Sequence, residues 1–154
     1  MRWMTVLALA SAATLIGCDN SEPAASKPAA PPPAKPGTNA GEARVVVVTD
    51  ATFKSEVLEA KEPVLVDLWA TWCGPCVRAA PTVKALAAEY AGRAKVCKID
   101  FDANPAAARQ YGGQGIPVFV VFKGGKEVHR SVGFASDAQL RQDLSAALDA
   151  ALKN

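Results

Sequence analysis

The sequence predicts an α/β fold in which a central mixed β-sheet is flanked by helices. From about residue 44 onward, apolar β-branched runs alternate with helical patterns, which favours a largely parallel sheet. The last two strand-like runs are joined by Lys123-Gly124-Gly125-Lys126, a typical hairpin signal that adds antiparallel strands. Half of the 154 residues are hydrophobic, so a sizeable core can form.

The first elements of this domain are a short strand, a helix and a buried strand. Val45–Val48 is a β-branched run typical of a strand. Thr49 or Asp50 can cap a helix that continues to about Ala60. Pro63–Trp69 is apolar almost throughout, which indicates a strand covered on both faces.

The remaining elements follow in the same alternating order. A helix is predicted from Cys73 to Tyr90, and Pro81 inside it should kink it. The later pattern predicts a strand, a short helix, a hairpin and a closing amphipathic helix that begins at Ser136 or Asp137. The strand is predicted at Lys95–Phe101 and the short helix at Ala106–Tyr111. The hairpin strands are predicted at Val118–Phe122 and Glu127–Val132, and the last helix continues through Leu152.

The residues before the domain are typical of a secretory signal followed by a tether. A positive start precedes the apolar run Trp3–Ile16, which is shorter than the roughly 20 residues that a membrane-spanning helix needs. Residues 19–43 contain no apolar side chain larger than alanine or proline, so we expect a disordered or polyproline-like segment. The predicted organisation is a signal peptide over 1–17, a tether over 18–43 and a domain over 44–154.

The end of the apolar run, Leu15-Ile16-Gly17-Cys18, resembles the lipobox of bacterial lipoproteins. The resemblance implies cleavage before Cys18 and lipidation of its thiol, and several acyl chains would anchor the chain stably. The alternative is an ordinary signal peptide with an incidental cysteine. Asp19 resembles the inner-membrane signal of enterobacterial lipoproteins, so we expect a lipid-anchored protein of the cell envelope, at the inner membrane and facing the periplasm.

Composition excludes several classes of protein. The 17 basic and 15 acidic residues are well mixed and form no basic run, so no nucleic-acid partner is expected. Four cysteines are too few for a disulfide scaffold of this size. No cofactor and no metal is predicted.

The stretch Trp72-Cys73-Gly74-Pro75-Cys76 could be a redox pair, half of a metal site or a structural staple. Cys73 lies where a buried strand ends and a helix begins, and the helix dipole there favours a thiolate, the nucleophile of disulfide exchange. Cys76 lies one turn further on, close enough to resolve a mixed disulfide. Gly74 lets a substrate approach the backbone, and Pro75 suits the first turn of the helix.

Asp67 is the one charged residue in the apolar strand before this motif. A buried carboxylate is costly and tends to retain its proton, and such groups cluster at functional sites. We therefore hypothesise that Asp67 accepts the proton of Cys76, directly or through a water, when Cys76 attacks. The alternative is a structural aspartate whose hydrogen bonds are satisfied at the end of a strand.

The domain resembles the thioredoxin family. The matching positions are Asp67, Trp69, Trp72, Cys73, Gly74, Pro75, Cys76, Pro81, Lys98, Gln114-Gly115-Ile116-Pro117 and Gly133. The resemblance implies a thioredoxin fold, a Cys73/Cys76 dithiol–disulfide cycle and a cis Ile116–Pro117 bond facing the cysteines. Such a bond would expose the Ile116 backbone, so that an extended substrate could pair beside Cys73.

The resemblance also implies roles for residues around the cysteines. Trp69 and Trp72 are expected to pack around the disulfide, and Trp72 would join Ile116, Pro117 and Gly133 in binding substrate. Gly133 could equally be a simple turn glycine. Lys98 is expected near Asp67, whose acidity it would tune, unless its side chain only reaches solvent.

One position departs from the family pattern. Val77 stands where thioredoxins usually carry a basic residue, and the following Arg78 could partly replace that charge. Cys97 is expected to be a small buried hydrophobe. His129 is expected at the surface without a partner, which argues against a Cys-His hydrolase.

The leading interpretation is a membrane-tethered thiol–disulfide oxidoreductase outside the cytoplasm that reduces protein disulfides. The Gly-Pro dipeptide with a buried Asp resembles the reducing members of the family. A reductase in an oxidising compartment needs imported electrons, and the family suggests a membrane donor of the DsbD or CcdA type. Its substrates would be disulfide-containing envelope proteins.

Three alternatives remain at this point. The same cysteine pair could serve a disulfide oxidase or isomerase. A structural zinc site usually needs two cysteine pairs, and only one is present. A binding or chaperone module could keep the fold without turnover, although such proteins often lose a cysteine or the buried Asp.

Overall fold

The computed structural model describes residues 44–113 and 115–153. The predicted signal peptide, Cys18, the tether and Gln114 lie outside the described residues. A single turn of π-helix, Lys54–Leu58, follows the first strand. The other elements are β1 (Val45–Val48), β2 (Val64–Trp69), α1 (Gly74–Glu89), β3 (Lys95–Asp100), α2 (Pro105–Tyr111), β4 (Val118–Lys123), β5 (Lys126–Val132) and α3 (Asp137–Lys153).

The strands form one mixed sheet in the order β1-β3-β2-β4-β5. β3 is parallel to both β1 and β2, whereas β4 runs antiparallel to β2 and β5 antiparallel to β4. The predicted α/β class with a mixed sheet is therefore confirmed. The carboxyl ends of β1, β2 and β3 lie along one edge of the sheet, and chain segments that follow them can meet there.

Each face of the sheet carries its own hydrophobic core. Val64, Val66 and Leu68 of β2 pack on the face that is covered by the π-helical turn and α2. Leu65 points to the other face, among side chains of α1 and α3. Because side chains alternate along a strand, Asp67 shares the α1 and α3 face with Leu65.

The predicted helix from Thr49 or Asp50 to Ala60 is wrong in extent and in its cap. The helical element is Lys54–Leu58, a π-helical turn without a side-chain cap, although the N–H of Phe53 already donates to the Thr49 carbonyl oxygen across 2.8 Å. The Asp50 carboxylate instead accepts hydrogen bonds from the backbone N–H groups of Ala106 and Ala107, each at 2.9 Å, in the first turn of α2. This occurs because β1 and β3 are parallel neighbours, so the segments after both strands meet at one edge of the sheet.

The other predicted helix and turn positions agree with the structure. α1 remains one helix from Gly74 to Glu89 with Pro81 inside it. The hairpin turn has Gly124 and Gly125 at φ 55° and 75°, the left-handed conformations that such a turn requires. None of the helices within residues 44–113 and 115–153 is long and apolar enough to cross a membrane.

Candidate active site

Cys73 and Cys76 form a disulfide between the end of β2 and the start of α1. Their sulfur atoms are 2.01 Å apart, and their Cα atoms are 5.2 Å apart. The two residues are only 4% and 2% exposed. Ala70 packs with them, and Trp69, Phe101 and Ile116 cover this small cluster.

The backbone distinguishes the two sulfur atoms. Cys73 is the N-cap residue of the 16-residue helix α1, and Pro75 lies in the first turn. The N–H of Cys76 donates a hydrogen bond to Cys73 Sγ across 3.2 Å. Negative charge is stabilised at a helix N-terminus, and a hydrogen bond to the charged form favours it further. After reduction, Cys73 is therefore the sulfur that the helix favours as a thiolate.

The cis-proline segment faces this disulfide. The Ile116–Pro117 peptide bond is cis, as the resemblance implies. The carbonyl oxygen of Ile116 lies 3.7 Å from Cys73 Sγ. Gly133, at φ 86°, donates its backbone N–H to the carbonyl oxygen of Pro117 across 2.8 Å. The structure thus brings Ile116, Pro117 and Gly133 together beside the disulfide.

Trp72 differs from the expectation that it packs around the disulfide. Its side chain is turned outward, and 66% of the residue is exposed. Its indole Nε1–H donates a hydrogen bond to Asp102 Oδ2 across 2.6 Å. Our sequence analysis did not select Asp102, although its position directly after β3 places it at the same edge of the sheet as the active-site loop. The exposed indole is available to a docking protein.

Asp67 is a buried acid beneath α1. It is 5% exposed, and its Oδ1 has no hydrogen-bond partner among the described residues. Burial raises the pKa of Asp67 from 3.8 to about 7, because desolvation disfavours the charged form. Asp67 faces α1, the helix that carries Cys76, and an acid of this strength can exchange a proton near neutral pH.

Lys98 lies beside Asp67 in the sheet. The two residues are direct partners in the parallel register of β2 and β3, so their side chains emerge on the same face. The positive charge of Lys98 lowers the pKa of Asp67, opposing the larger effect of burial. The Lys98 ammonium lies 4.9 Å from the centre of the Trp69 ring, which holds the side chain over this part of the site.

Cys97 and His129 lie away from this cluster. Cys97 is fully buried among the apolar side chains beneath the π-helical turn and α2, as expected, and burial raises its pKa to about 12. His129 lies on β5, and its Nε2 is 3.2 Å from Asp143 Oδ2 of α3. Across residues 44–113 and 115–153, no three His, Cys, Asp or Glu side chains are grouped to hold a metal ion.

Comparison with known proteins places this arrangement among redox proteins. The family model described as Thioredoxin matches residues 44–146. Thioredoxin 1 of Nostoc sp. is 50% identical over 97 residues, which cover 63% of this chain and 91% of the relative. Thioredoxin of Pseudomonas aeruginosa is 46% identical over 102 residues, which cover 66% of this chain and 94% of the relative. Thioredoxin of Mycobacterium bovis is 44% identical over 108 residues, which cover 70% of this chain and 93% of the relative.

Proposed function

This chain belongs to the thioredoxin family of disulfide oxidoreductases, and from that premise we propose that it reduces protein disulfides outside the cytoplasm while lipid on Cys18 holds it to a membrane. The redox part of the proposal is carried by one observation. Cys73 Sγ lies at the N-terminus of α1, accepts the N–H of Cys76 and lies 3.7 Å from the Ile116 carbonyl of the cis-proline segment.

The first step joins the enzyme to its substrate. In the reduced enzyme, the Cys73 thiolate attacks one sulfur of a client disulfide while the client chain pairs as a strand with the backbone at Ile116. A bond forms between Cys73 Sγ and that sulfur, the client S–S bond breaks, and the other client sulfur leaves as a thiolate. The exposed side chain of Trp72 borders this docking site on one side, and Gly133 also borders it.

The second step releases the product. Cys76 gives its proton to the Asp67 carboxylate, directly or through a water, and the resulting thiolate attacks Cys73 Sγ. The Cys73–Cys76 bond forms, the mixed disulfide breaks, and the second client thiolate leaves. Two electrons have passed from the enzyme dithiol to the client, and the enzyme is left in the disulfide form that the structure shows.

The direction proposed for this cycle is reduction. The Gly74-Pro75 dipeptide and buried Asp67 match the reducing members of the family, and the similar proteins named above are thioredoxins. Regeneration of the dithiol requires two electrons from another dithiol. A membrane donor of the DsbD or CcdA type would supply them, and disulfide-containing envelope proteins would consume them.

The sequence supports the proposed location. The apolar run followed by Leu15-Ile16-Gly17-Cys18 favours export and lipidation, and Asp19 favours the inner membrane with the domain facing the periplasm. The tether over 18–43 would let the domain reach clients away from the lipid surface. A Cys18→Ser variant should move the protein from the membrane fraction to the soluble fraction, and an unchanged distribution would overturn the anchor.

The reduction potential of the Cys73–Cys76 pair tests the direction. We expect a value near about −270 mV, where thioredoxin lies, after equilibration against dithiothreitol and glutathione. A value of about −120 to −180 mV would instead assign the chain to the disulfide-forming or isomerising proteins.

A complementation experiment tests the third alternative, a binding module without turnover. The Cys73→Ser variant should fail to restore a deletion strain, whereas a Cys97→Ala variant, which leaves the redox pair intact, should restore it. Restoration by Cys73→Ser would show that redox turnover is dispensable.

A further inference from the structure

Arg78 carries a positive charge close to the redox site. It lies in the second turn of α1, two residues after Cys76, and its side chain is exposed. A Cβ atom placed on Gly74 would lie 3.7 Å from Arg78 Nη1, so the guanidinium lies close to the first residue of α1, next to Cys73. The guanidinium carbon also lies 5.8 Å from the centre of the Phe134 ring.

These two contacts place the Arg78 charge beside the substrate groove. Gly74 directly follows Cys73, and Phe134 directly follows Gly133, whose N–H is bonded to the Pro117 carbonyl. The guanidinium therefore lies between the start of α1 and the segment that follows Gly133. We therefore expect a client strand that pairs with Ile116 while its disulfide reaches Cys73 to lie near this charge.

The contact with the Phe134 ring is a cation–π interaction, which gives the charge one partner inside the fold. Within the described residues, no carboxylate forms an ion pair with Arg78. A positive charge close to the N-terminal end of a helix gains nothing from the helix dipole.

Two acids near the ends of the active-site segment are hydrogen-bonded to other side chains. Asp102 accepts the indole N–H of Trp72, and Asp137 accepts the hydroxyl of Thr82 across 2.7 Å. The Arg78 side chain is exposed and forms no ion pair within the described residues, so its charge is available to a ligand. The preceding Val77 contributes an exposed apolar side chain.

We propose that Arg78 is a specificity-determining residue that binds a carboxylate of the client close to its disulfide, and so directs the enzyme toward acidic segments. The inference rests on the proposed reductase function and names the class of substrate for the same site. Planar guanidinium groups bind carboxylates through paired hydrogen bonds, and charge complementarity at an interface sets partner choice and association rate.

Two synthetic disulfide peptides test this inference. They have the same sequence except that the residues flanking the cysteines are Glu in one and Lys in the other. The full-length chain, in non-ionic detergent and reduced beforehand, is mixed with each peptide, and the rate constant for peptide reduction is measured. For each variant, the rate constant for the Glu-flanked peptide is divided by that for the Lys-flanked peptide. Comparing this ratio between variants cancels the intrinsic reactivity of the two peptides.

The wild-type ratio should fall about threefold to fivefold in Arg78→Ala, the effect expected of an exposed ion pair, and further in Arg78→Glu. Arg78→Lys should retain part of the preference. Lys84→Glu is the matched control for Arg78→Glu, because Lys84 is exposed on the same helix and both replacements change the net charge by the same amount. High salt should reduce the wild-type preference, because it screens exposed charges.

The outcomes separate this inference from the proposed function. An unchanged ratio in Arg78→Ala and Arg78→Glu would overturn the recognition role, as would an equal fall in the Lys84→Glu control. Slower reduction of both peptides by the same factor would also overturn it, because Arg78 would then act on the thiol. If the reduced wild-type protein reduced neither peptide, the reductase function itself would fail.

Discussion

The indole N–H of Trp72 and the carboxylate of Asp102, 30 residues apart in the chain, are joined by a hydrogen bond of 2.6 Å. The bond ties the active-site loop to the turn that follows β3. That turn is itself held by Asp100, whose Oδ1 accepts the backbone N–H groups of Asp102 and Ala103 at 2.9 and 3.0 Å. An exposed aromatic ring beside the disulfide is therefore held in one position before any client arrives, which lowers the entropic cost of docking.

Loss of the Asp102 carboxylate should release Trp72. We expect Asp102→Ala to slow reduction of a peptide disulfide about twofold to fivefold, because the indole must then be ordered during docking. The pair is exposed, so the free energy of unfolding should change by no more than about 1 kcal/mol. Stopped-flow kinetics and time-resolved tryptophan anisotropy measure the two effects, and Asp102→Asn, which keeps an acceptor oxygen, is the control. Equal rates and equal anisotropy in Asp102→Ala and wild type would contradict this role.

Asp67 should make the stability of the domain depend on pH. Its pKa rises from 3.8 to about 7 on folding, so the folded state binds this proton more tightly than the unfolded chain does. The stability that the group contributes is complete below about pH 4 and is lost as the pH rises through about 7. Relative to Asp67→Asn, the wild type should lose about 3 kcal/mol of unfolding free energy between about pH 5 and pH 8.

Denaturant unfolding of the disulfide form at both pH values measures this difference. Glu59→Gln is a suitable control, because the Glu59 side chain is 58% exposed in its ion pair with Lys54 and contributes little in water. A difference between wild type and Asp67→Asn that stayed constant with pH would show that Asp67 does not titrate in this range.

Asp67 should also control the second chemical step. In the wild type, the rate of mixed-disulfide resolution should rise with pH through about 7, as Asp67 becomes a carboxylate able to accept the Cys76 proton. Asp67→Asn should lose this inflection and resolve the mixed disulfide about 10- to 100-fold more slowly near neutral pH. Rapid mixing with a peptide disulfide, followed by acid quench, measures the mixed disulfide over time. The rate at which the mixed disulfide forms is the internal control. If Asp67→Asn resolved the mixed disulfide at the wild-type rate, Asp67 would be excluded as the proton acceptor.

The hairpin offers a test of packing with a matched pair of glycines. A Cβ atom on Gly125 would lie 2.8 Å from the Leu58 carbonyl oxygen, whereas one on Gly124 would meet nothing within 4 Å. Both residues have positive φ, so replacing either one by alanine should lower the free energy of unfolding by about 1 to 2 kcal/mol. Gly125→Ala should be the more destabilising, because the backbone at Leu58 must also move. Thermal unfolding of the two variants compares them, and equal losses would show that the contact is relieved without cost.

Much of the site could be predicted from local sequence. Cys73 and Cys76 stand out in the sequence because two cysteines recur within a few residues. Asp67 stands out because it is a charged residue in an otherwise apolar strand. The pairing of Asp67 with Lys98 was predictable only in part, since it depends on the register between two strands. Asp102 was missed because nothing in its own neighbourhood marks it.

The sequence by itself determined the order of strands and helices, the hairpin and the redox motif, because each is encoded by periodicity or spacing within a few residues. The tertiary structure alone decided that Asp50 caps α2, that Asp102 holds Trp72 and that Arg78 lies between Gly74 and Phe134. These contacts join segments far apart in the chain or depend on the direction of one long side chain. They exist because parallel strands bring their carboxyl ends to one edge of the sheet, and local patterns do not specify which side chains meet there.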